Sequence, residues 1–291
     1  VAKPKLIAVL GPTASGKSTL AIELAQKFGG EIVSADSRQV YRGLDIGTGK
    51  VTIDEQRAVP HHLLDIVEPG DDFSVADFQK LAFGAIEKII QRGKLPFLVG
   101  GTALYAYAVL DNYQLAEVRQ NPELRKKLAA KPLAELQAMV PAGVLNADDC
   151  QNPRRLIRAI EKLHAGAPLH PDKLPPRYDA LILGMDVPRE ELYKKIDRRV
   201  DERIEQGMIA EVERLRGSGA SDKWLISLGL EYVWITKYLR GTWQKDEMIQ
   251  RLKGAIHAFA RRQMTWFRRD KRICWVAGAT EAHSAVREFL A

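Results

Sequence analysis

The octapeptide Gly11-Pro12-Thr13-Ala14-Ser15-Gly16-Lys17-Ser18 meets every fixed position of the pattern G-x-x-x-x-G-K-[ST], and few short motifs restrict a fold so tightly. Such a loop works only between a buried strand and a helix N-terminus. Its glycines let several backbone N–H groups point at one anion, and the helix adds its positive end. The flanking sequence supplies both supports: Lys5 to Gly11 reads as a central strand, and helical spacing runs from about Lys17 to Phe28. In that setting Lys17 offers a mobile cation to a phosphate and Ser18 a hydroxyl to Mg2+. The loop recognises phosphates, whatever carries them.

The first hundred residues alternate apolar runs with amphipathic spacing, the signature of a parallel α/β sheet. Residues 31–36 read as a strand ending at Asp36, residues 61–67 as a third and weaker strand, and residues 95–102 as a strand closing on Gly100-Gly101-Thr102. A helical pattern fills 74–92 and stops at Gly93. A carboxylate at the C-terminal end of the strand after the loop strand faces the open crevice of such a sheet. Asp36 is therefore placed to accept a proton from an acceptor hydroxyl or amine, or failing that to cap a turn or help order Mg2+. Ser37 and Gln39 follow it with donors and acceptors suited to a base edge. Asp65 makes a poor metal-binding strand end because His62 interrupts the apolar run before it. His61 and His62 have no Cys or His partner at ligand spacing and read as surface or hydrogen-bonded residues.

From about 111 to 176 the strand pattern gives way to charged, proline-punctuated helix, which reads as an inserted helical subdomain. Residues 178–188 resume the sheet, and three long helices follow at about 189–216, 224–240 and 244–268, then a short strand and a last helix. The expected organisation is a core of 1–110 and 177–291 with an insertion of 111–176. In the first of those long helices acids and bases interleave at i,i+4 spacing, so pattern alone makes Arg199 a partner in surface ion pairs.

The chain of 291 residues has 44 Lys and Arg against 37 Asp and Glu, a basic excess too modest to mean nucleic acid by itself. Its placement says more: between Arg240 and Arg272 stand ten basic residues and three acids, and Arg154, Arg155 and Arg158 share one helical stretch. Cys150 and Cys274 stand far apart, which predicts neither a zinc site nor a disulfide framework and fits a reducing cytoplasm. No apolar run reaches the ~18 residues of a membrane span, and residues 1–11 lead into a strand rather than a signal peptide. Two enzyme classes remain open on these grounds: a kinase whose loop holds ATP, and a transferase acting on nucleic acid whose loop holds another phosphorylated donor.

The segments "GPTASGKS", "SADSRQVYRGLDIGTGK", "PHHLLDIV", "FSVADFQ", "LVGGTALY", "NPRRLIRAIE", "GMDVPREELYKKIDRRVDERIEQGM" and "FARRQMTWFRR", in this order, closely resemble the bacterial tRNA dimethylallyltransferases. The resemblance implies a P-loop NTPase-like parallel-sheet core with an all-helical insertion and C-terminal helices. It implies that the loop takes the diphosphate of dimethylallyl diphosphate, and that N6 of adenosine 37, in tRNAs reading codons that begin with U, attacks the allylic carbon. Asp36 is then the expected base. Thr13, Lys17 and Ser18 are expected on the diphosphate and Mg2+, and Thr102 and Arg199 in the active site, against the pattern reading of Arg199. The expected tRNA contacts are Asp36, Ser37, Arg38, Gln39, Thr102, Arg125, Arg154, Arg155, Leu156, Ile157, Arg158, Arg261 and Arg262. The resemblance further implies a cytoplasmic enzyme that needs Mg2+, works as a monomer and has no membrane partner.

Overall fold

The computed structural model describes residues 2–115, 118, 120–170 and 172–291. They form two compact units, one of residues 1–110 and 176–291 and one of residues 111–175.

The larger unit is built on β1 (Lys5–Leu10), β2 (Gly30–Ser34), β3 (His61–His62), β4 (Leu95–Gly100), β7 (Asp179–Met185) and β8 (Ile273–Val276). These six strands lie parallel in the order β3-β2-β4-β1-β7-β8. Leu6 to Leu10 are all fully buried, as an unbroken apolar run must be when both faces of a parallel sheet are covered. Register decides where function can sit. Leu10 pairs with Gly100 and with Gly184, and Ser34 with Val99, so β1, β2, β4 and β7 end at one edge. The phosphate loop, Asp36 and the Gly100–Thr102 turn all leave the sheet there.

Around the sheet run α1 (Lys17–Phe28), α2 (Ile53–Ala58), α3 (Val75–Gln91), α4 (Ala103–Leu110) and α14 (Ala279–Leu290). Leu20, Ala21, Leu24 and Ala25 of α1 pack with Ala282 and Val286 of α14 on Ile7, Val9 and Phe97. A second core joins α9 (Arg189–Glu205), α10 (Met208–Gly217), α11 (Asp222–Leu228), α12 (Leu230–Leu239) and α13 (Lys245–Phe267). Its seam is a pair of stripes at four-residue spacing, Leu192, Ile196 and Val200 on α9 and Met248, Leu252, Ile256 and Ala260 on α13. These stripes fix the helix rotations, and with them the directions of the flanking polar residues.

The three long helices expected after residue 188 are five. Gly207 at φ 98° separates α9 from α10, and Gly229 at φ 79° separates α11 from α12, because neither backbone can continue a right-handed helix. The third strand expected over 61–67 is limited to His61–His62: Leu63 and Asp65 have φ of 66° and 54°, which no strand tolerates. His62 pairs with Glu31 at 2.7 Å and His61 Nδ1 bonds the Val59 carbonyl at 2.8 Å.

The smaller unit holds α5 (Pro122–Ala129), α6 (Leu133–Ala138), α7 (Ala147–Cys150) and α8 (Pro153–His164) around Leu128, Leu136, Leu156 and Ile160. It is not entirely helical. β5 (Tyr113–Gln114) and β6 (Asp172–Lys173) form a short antiparallel ladder where the chain enters and leaves it.

Candidate active site

At the C-terminal edge of the sheet lies a cleft of about 340 Å³. It is lined by Thr13 to Thr19, Asp36, Arg38, Gln39, residues 48–51, Glu55, Val99 to Gly101, several basic residues of α9, Glu231, Phe259 and Gln263. Seven of its lining side chains are Lys or Arg and three are Asp or Glu, so the cleft is built for an anion. Ser15 Oγ, buried in the loop, has no hydrogen-bond partner among the described residues.

Lys17 and Arg199 are the cations left over for a ligand. Among the described residues Lys17 Nζ donates only to the Pro12 carbonyl, at 3.3 Å. Burial first, then the charge of Arg199, pulls its pKa down to about 8, although Asp36 opposes the shift. Arg199 has no carboxylate within ion-pair distance among the described residues; burial and the adjacent Arg203 lower its pKa to about 10, and it stays charged at neutral pH. The neighbouring arginines are already compensated. Glu231, 5 % exposed, accepts Arg38 Nη1 at 2.7 Å and stands 3.6 Å from Arg203 Nη1. For Arg38, burial favours the neutral form, but Glu231 and Asp36 outweigh it and hold the guanidinium charged.

Asp36 Oδ1 accepts the N–H groups of Arg38 at 2.9 Å and Gln39 at 3.4 Å, a turn that holds the carboxylate in the cleft. Thr102 Oγ1 accepts the N–H of Ser37 at 3.2 Å, so Thr102 braces the same turn from β4. The Gln39 amide is already engaged: Ser34 Oγ lies 3.1 Å from Oε1, and Nε2 lies 3.3 Å from the Gly49 carbonyl.

The structure brings the loop from Gly11 to Ser18, Asp36, Ser37, Arg38, Gln39, Thr102 and Arg199 to one edge of one unit. The pattern reading of Arg199 as a surface residue is corrected. Lys195 and Arg198 do make outer ion pairs with Glu191 and Glu202, but Arg199 is turned into the cleft, three positions past buried Ile196. Asp65 is taken by Lys50, whose amine lies 2.5 Å from it and 2.6 Å from Asp45. Arg261 and Arg262 are exposed on α13, Arg261 bonding the Tyr193 hydroxyl at 2.9 Å and Arg262 standing 5.9 Å from the Phe259 ring centre.

In the smaller unit Arg154 and Arg155 are exposed, Arg155 pairing with Asp149. Arg125 grips buried Glu161 with two bonds of 2.8 and 2.9 Å, and Arg158 joins it at 3.2 Å. Burial raises the Glu161 pKa, but these arginines and the Asn121 N–H bring it below the ordinary value. Leu156 is 1 % exposed inside the core of the unit, so its side chain has nothing to offer a partner, and Ile157 packs beside that core.

Among the residues that went unread in the sequence are Glu231, Phe259 and Gln263, which line the cleft, and Glu211, which lies behind it. Glu211, 1 % exposed, accepts the N–H groups of Asp45, Ile46 and Gly47 at 2.7 to 3.0 Å and the Tyr232 hydroxyl at 3.0 Å, and so shapes the 45–50 turn that lines the cleft. The signal was there. Glu211 and Gln263 each interrupt an apolar helical stripe, 208-212-215 and 256-260-267, where a polar residue must have an internal partner.

Comparison with known proteins places this geometry. Residues 39–270 match the family described as IPP transferase, and residues 4–65 the one described as isopentenyl transferase. The chain is 45 % identical over 283 residues to tRNA dimethylallyltransferase 1 of Geotalea daltonii, covering 95 % of this chain and 92 % of that one. It is 44 % identical over 282 residues to the tRNA dimethylallyltransferase of Thermomicrobium roseum, covering 93 % and 85 %. The crystal structure of a tRNA isopentenylpyrophosphate transferase from Bacillus halodurans superposes with a TM-score of 0.75 at 36 % identity, covering 99 % of this chain and 96 % of that one. A eukaryotic dimethylallyltransferase acting on tRNA superposes with a TM-score of 0.73 at 26 % identity, covering 90 % and 69 %.

Proposed function

Because the chain belongs to the tRNA dimethylallyltransferase family, with the activity of prenylating adenosine 37 of tRNA, we propose that its cleft is where that transfer takes place. The observation that carries the assignment is the pair of uncompensated cations, Lys17 and Arg199, lining one cleft with Asp36.

Dimethylallyl diphosphate lies with its diphosphate against the N–H groups of the loop, Lys17 and Arg199. Its dimethylallyl group lies along the apolar lining of Val51, Val99 and Phe259. N6 of the adenosine attacks the allylic carbon, the carbon–oxygen bond to diphosphate breaks, and the N6 proton passes to Asp36. An aromatic amine is a weak nucleophile, so a fixed carboxylate and a close approach are what the protein can add. The leaving group gains negative charge as the bond breaks, and cations already in place stabilise it without reorganising.

No group of three or more His, Cys, Asp or Glu among the described residues could hold a metal. That suits Mg2+, which binds through one or two protein oxygens and takes its other ligands from phosphates and water. Ser18 Oγ would be the protein ligand, with Asp36 lining the same cleft, and the ion when bound would neutralise diphosphate charge.

Taking the base out of its stack costs a few kcal/mol, which calls for further contacts to the RNA. Exposed Arg154, Arg155, Arg261 and Arg262 offer them, mainly to phosphates. Codons beginning with U are the expected reading of the substrate tRNAs, the cytoplasm the expected compartment, and a monomer suffices.

The test uses the purified protein with Mg2+ and an unmodified anticodon stem-loop. One reaction contains dimethylallyl diphosphate and a second contains ATP with small hydroxyl acceptors. RNA gaining the mass of one dimethylallyl unit in the first, with no ATP consumed in the second, supports the assignment. Unchanged RNA with consumption of ATP overturns it in favour of a kinase.

A further inference from the structure

Gln263 on α13 is 6 % exposed, and both ends of its amide are spent on backbone. Oε1 accepts the Thr13 N–H at 2.9 Å, and Nε2 donates to the Gly101 carbonyl at 2.8 Å. A donor on one side and an acceptor on the other fix which way the amide points. Thr13 belongs to the phosphate loop. Gly101 precedes Thr102, whose Oγ1 accepts the Ser37 N–H at 3.2 Å and whose own N–H donates to the Ala35 carbonyl at 3.3 Å. Ala35 and Ser37 flank Asp36.

A hydrogen-bonded path thus runs from the loop that takes the diphosphate to the backbone on both sides of the carboxylate that takes the proton. Gln263 closes it. The closeness of the parts depends on Gly101, since a Cβ there would stand 2.5 Å from Gln263 Nε2 and 3.2 Å from the Gly11 carbonyl oxygen.

We propose that Gln263 is a positioning residue for prenyl transfer, setting the phosphate loop at a fixed distance from the Asp36 turn so that amine and allylic carbon meet in line. The proposal rests on the reading of the cleft given above. Both ends of the Gln263 amide are spent on backbone, so its loss acts on geometry: a misplacement of about 1 Å between reacting groups costs on the order of 100-fold in rate.

Two variants test it. Q263M keeps the length of the side chain and loses both bonds. Q263E keeps an acceptor for the Thr13 N–H and sets a second oxygen against the Gly101 carbonyl, so it reads the effect even if Q263M folds poorly. Single-turnover prenylation of the stem-loop is measured with both substrates saturating, alongside dissociation constants for pyrophosphate and for the stem-loop, and a thermal melt. The expected result is a fall of about 100-fold in the single-turnover rate of the folded variants, with both dissociation constants within about threefold of wild type. A rate within about threefold of wild type overturns the proposal. So does a loss that higher substrate concentration restores, or one that only follows the unfolded fraction in the melt. If the wild-type protein itself gives no prenylated RNA, the functional reading fails, and that outcome is separate from a failure confined to Gln263.

Discussion

Arg203 Nη1 stands 3.6 Å from Glu231 Oε1, while Arg199, one turn earlier on α9, meets no carboxylate among the described residues. One buried anion therefore decides which arginines are structural and which face a ligand. Replacing Glu231 with Gln removes the carboxylate that pairs with buried Arg38 and Arg203 and leaves only Asp36 and Glu211 to oppose their charge, and the expected loss of stability is about 3 kcal/mol. Urea unfolding measures it. A loss below about 1 kcal/mol, the worth of an exposed pair, would show that water already screens these guanidinia.

Arg199 itself makes the converse prediction. Arg199→Gln is expected to weaken pyrophosphate binding by about 10- to 100-fold, the worth of a charge-assisted hydrogen bond, with little change in stability. Arg199→Lys should recover only part, because an ammonium lacks the planar fork. Isothermal titration calorimetry reads both, and unchanged affinity in Arg199→Gln would remove Arg199 from the anion site.

Lys17 gives the cleft a pH dependence. Its pKa of about 8 in the free protein means that the amine is charged below that pH and neutral above it. Pyrophosphate binding should therefore be strongest below pH 8 and weaken as pH rises through that value. A bound anion favours the charged form and moves the pKa upward, so the step seen in the free protein should shift to higher pH in the complex. Dissociation constants between pH 7 and 9.5 test this, and Lys17→Met should bind weakly throughout with the step removed.

Asp36→Asn keeps an acceptor for the Arg38 and Gln39 N–H groups and cannot take a proton. Prenyl transfer should slow by about two to four orders of magnitude, while stem-loop affinity stays close to wild type. Weak RNA binding with a normal rate at saturation would make Asp36 a binding residue instead.

Gly49 has φ of 59°, and a Cβ there would run into the Arg203 guanidinium and stand 2.6 Å from Arg199 Nη2. Gly49→Ala is expected to cost about 1–3 kcal/mol of stability from the strained backbone alone. It should also weaken pyrophosphate binding by displacing Arg199. A variant with normal stability and affinity would show that both guanidinia can move aside freely.

Much of this was legible in the sequence because it is local. The loop between strand and helix and the strand ending just before Asp36 both follow from residues adjacent in the chain. Arg199 was misread by spacing for a physical reason: its neighbours Lys195 and Arg198 do form i,i+4 pairs, and only the seam of Ile196 and Val200 against α13 turns Arg199 away from them. Glu211, Glu231 and Gln263 act on partners at least 160 residues away in several cases, such as Glu211 on Gly47 and Gln263 on Gly101. Periodicity does not carry such pairings, although a polar residue on an apolar stripe announces that one exists. The extra helix breaks show the same limit at short range, since Gly207 and Gly229 interrupt patterns whose apolar spacing runs on past them.

The ladder of β5 and β6 has a consequence for how the chain folds. Tyr113 pairs with Lys173, the Leu174 N–H donates to the Asn112 carbonyl at 3.1 Å, and the Asn112 amide donates to the Pro175 carbonyl at 3.0 Å. The two ends of the insertion are thus clamped together by its own residues. Once that clamp has formed, the long excursion costs the sheet the entropy of closing a tight hairpin rather than a long open loop. β4 and β7 can then dock on either side of β1 almost as if they were neighbours in sequence, and the excursion is free to vary in length without slowing the assembly of the core.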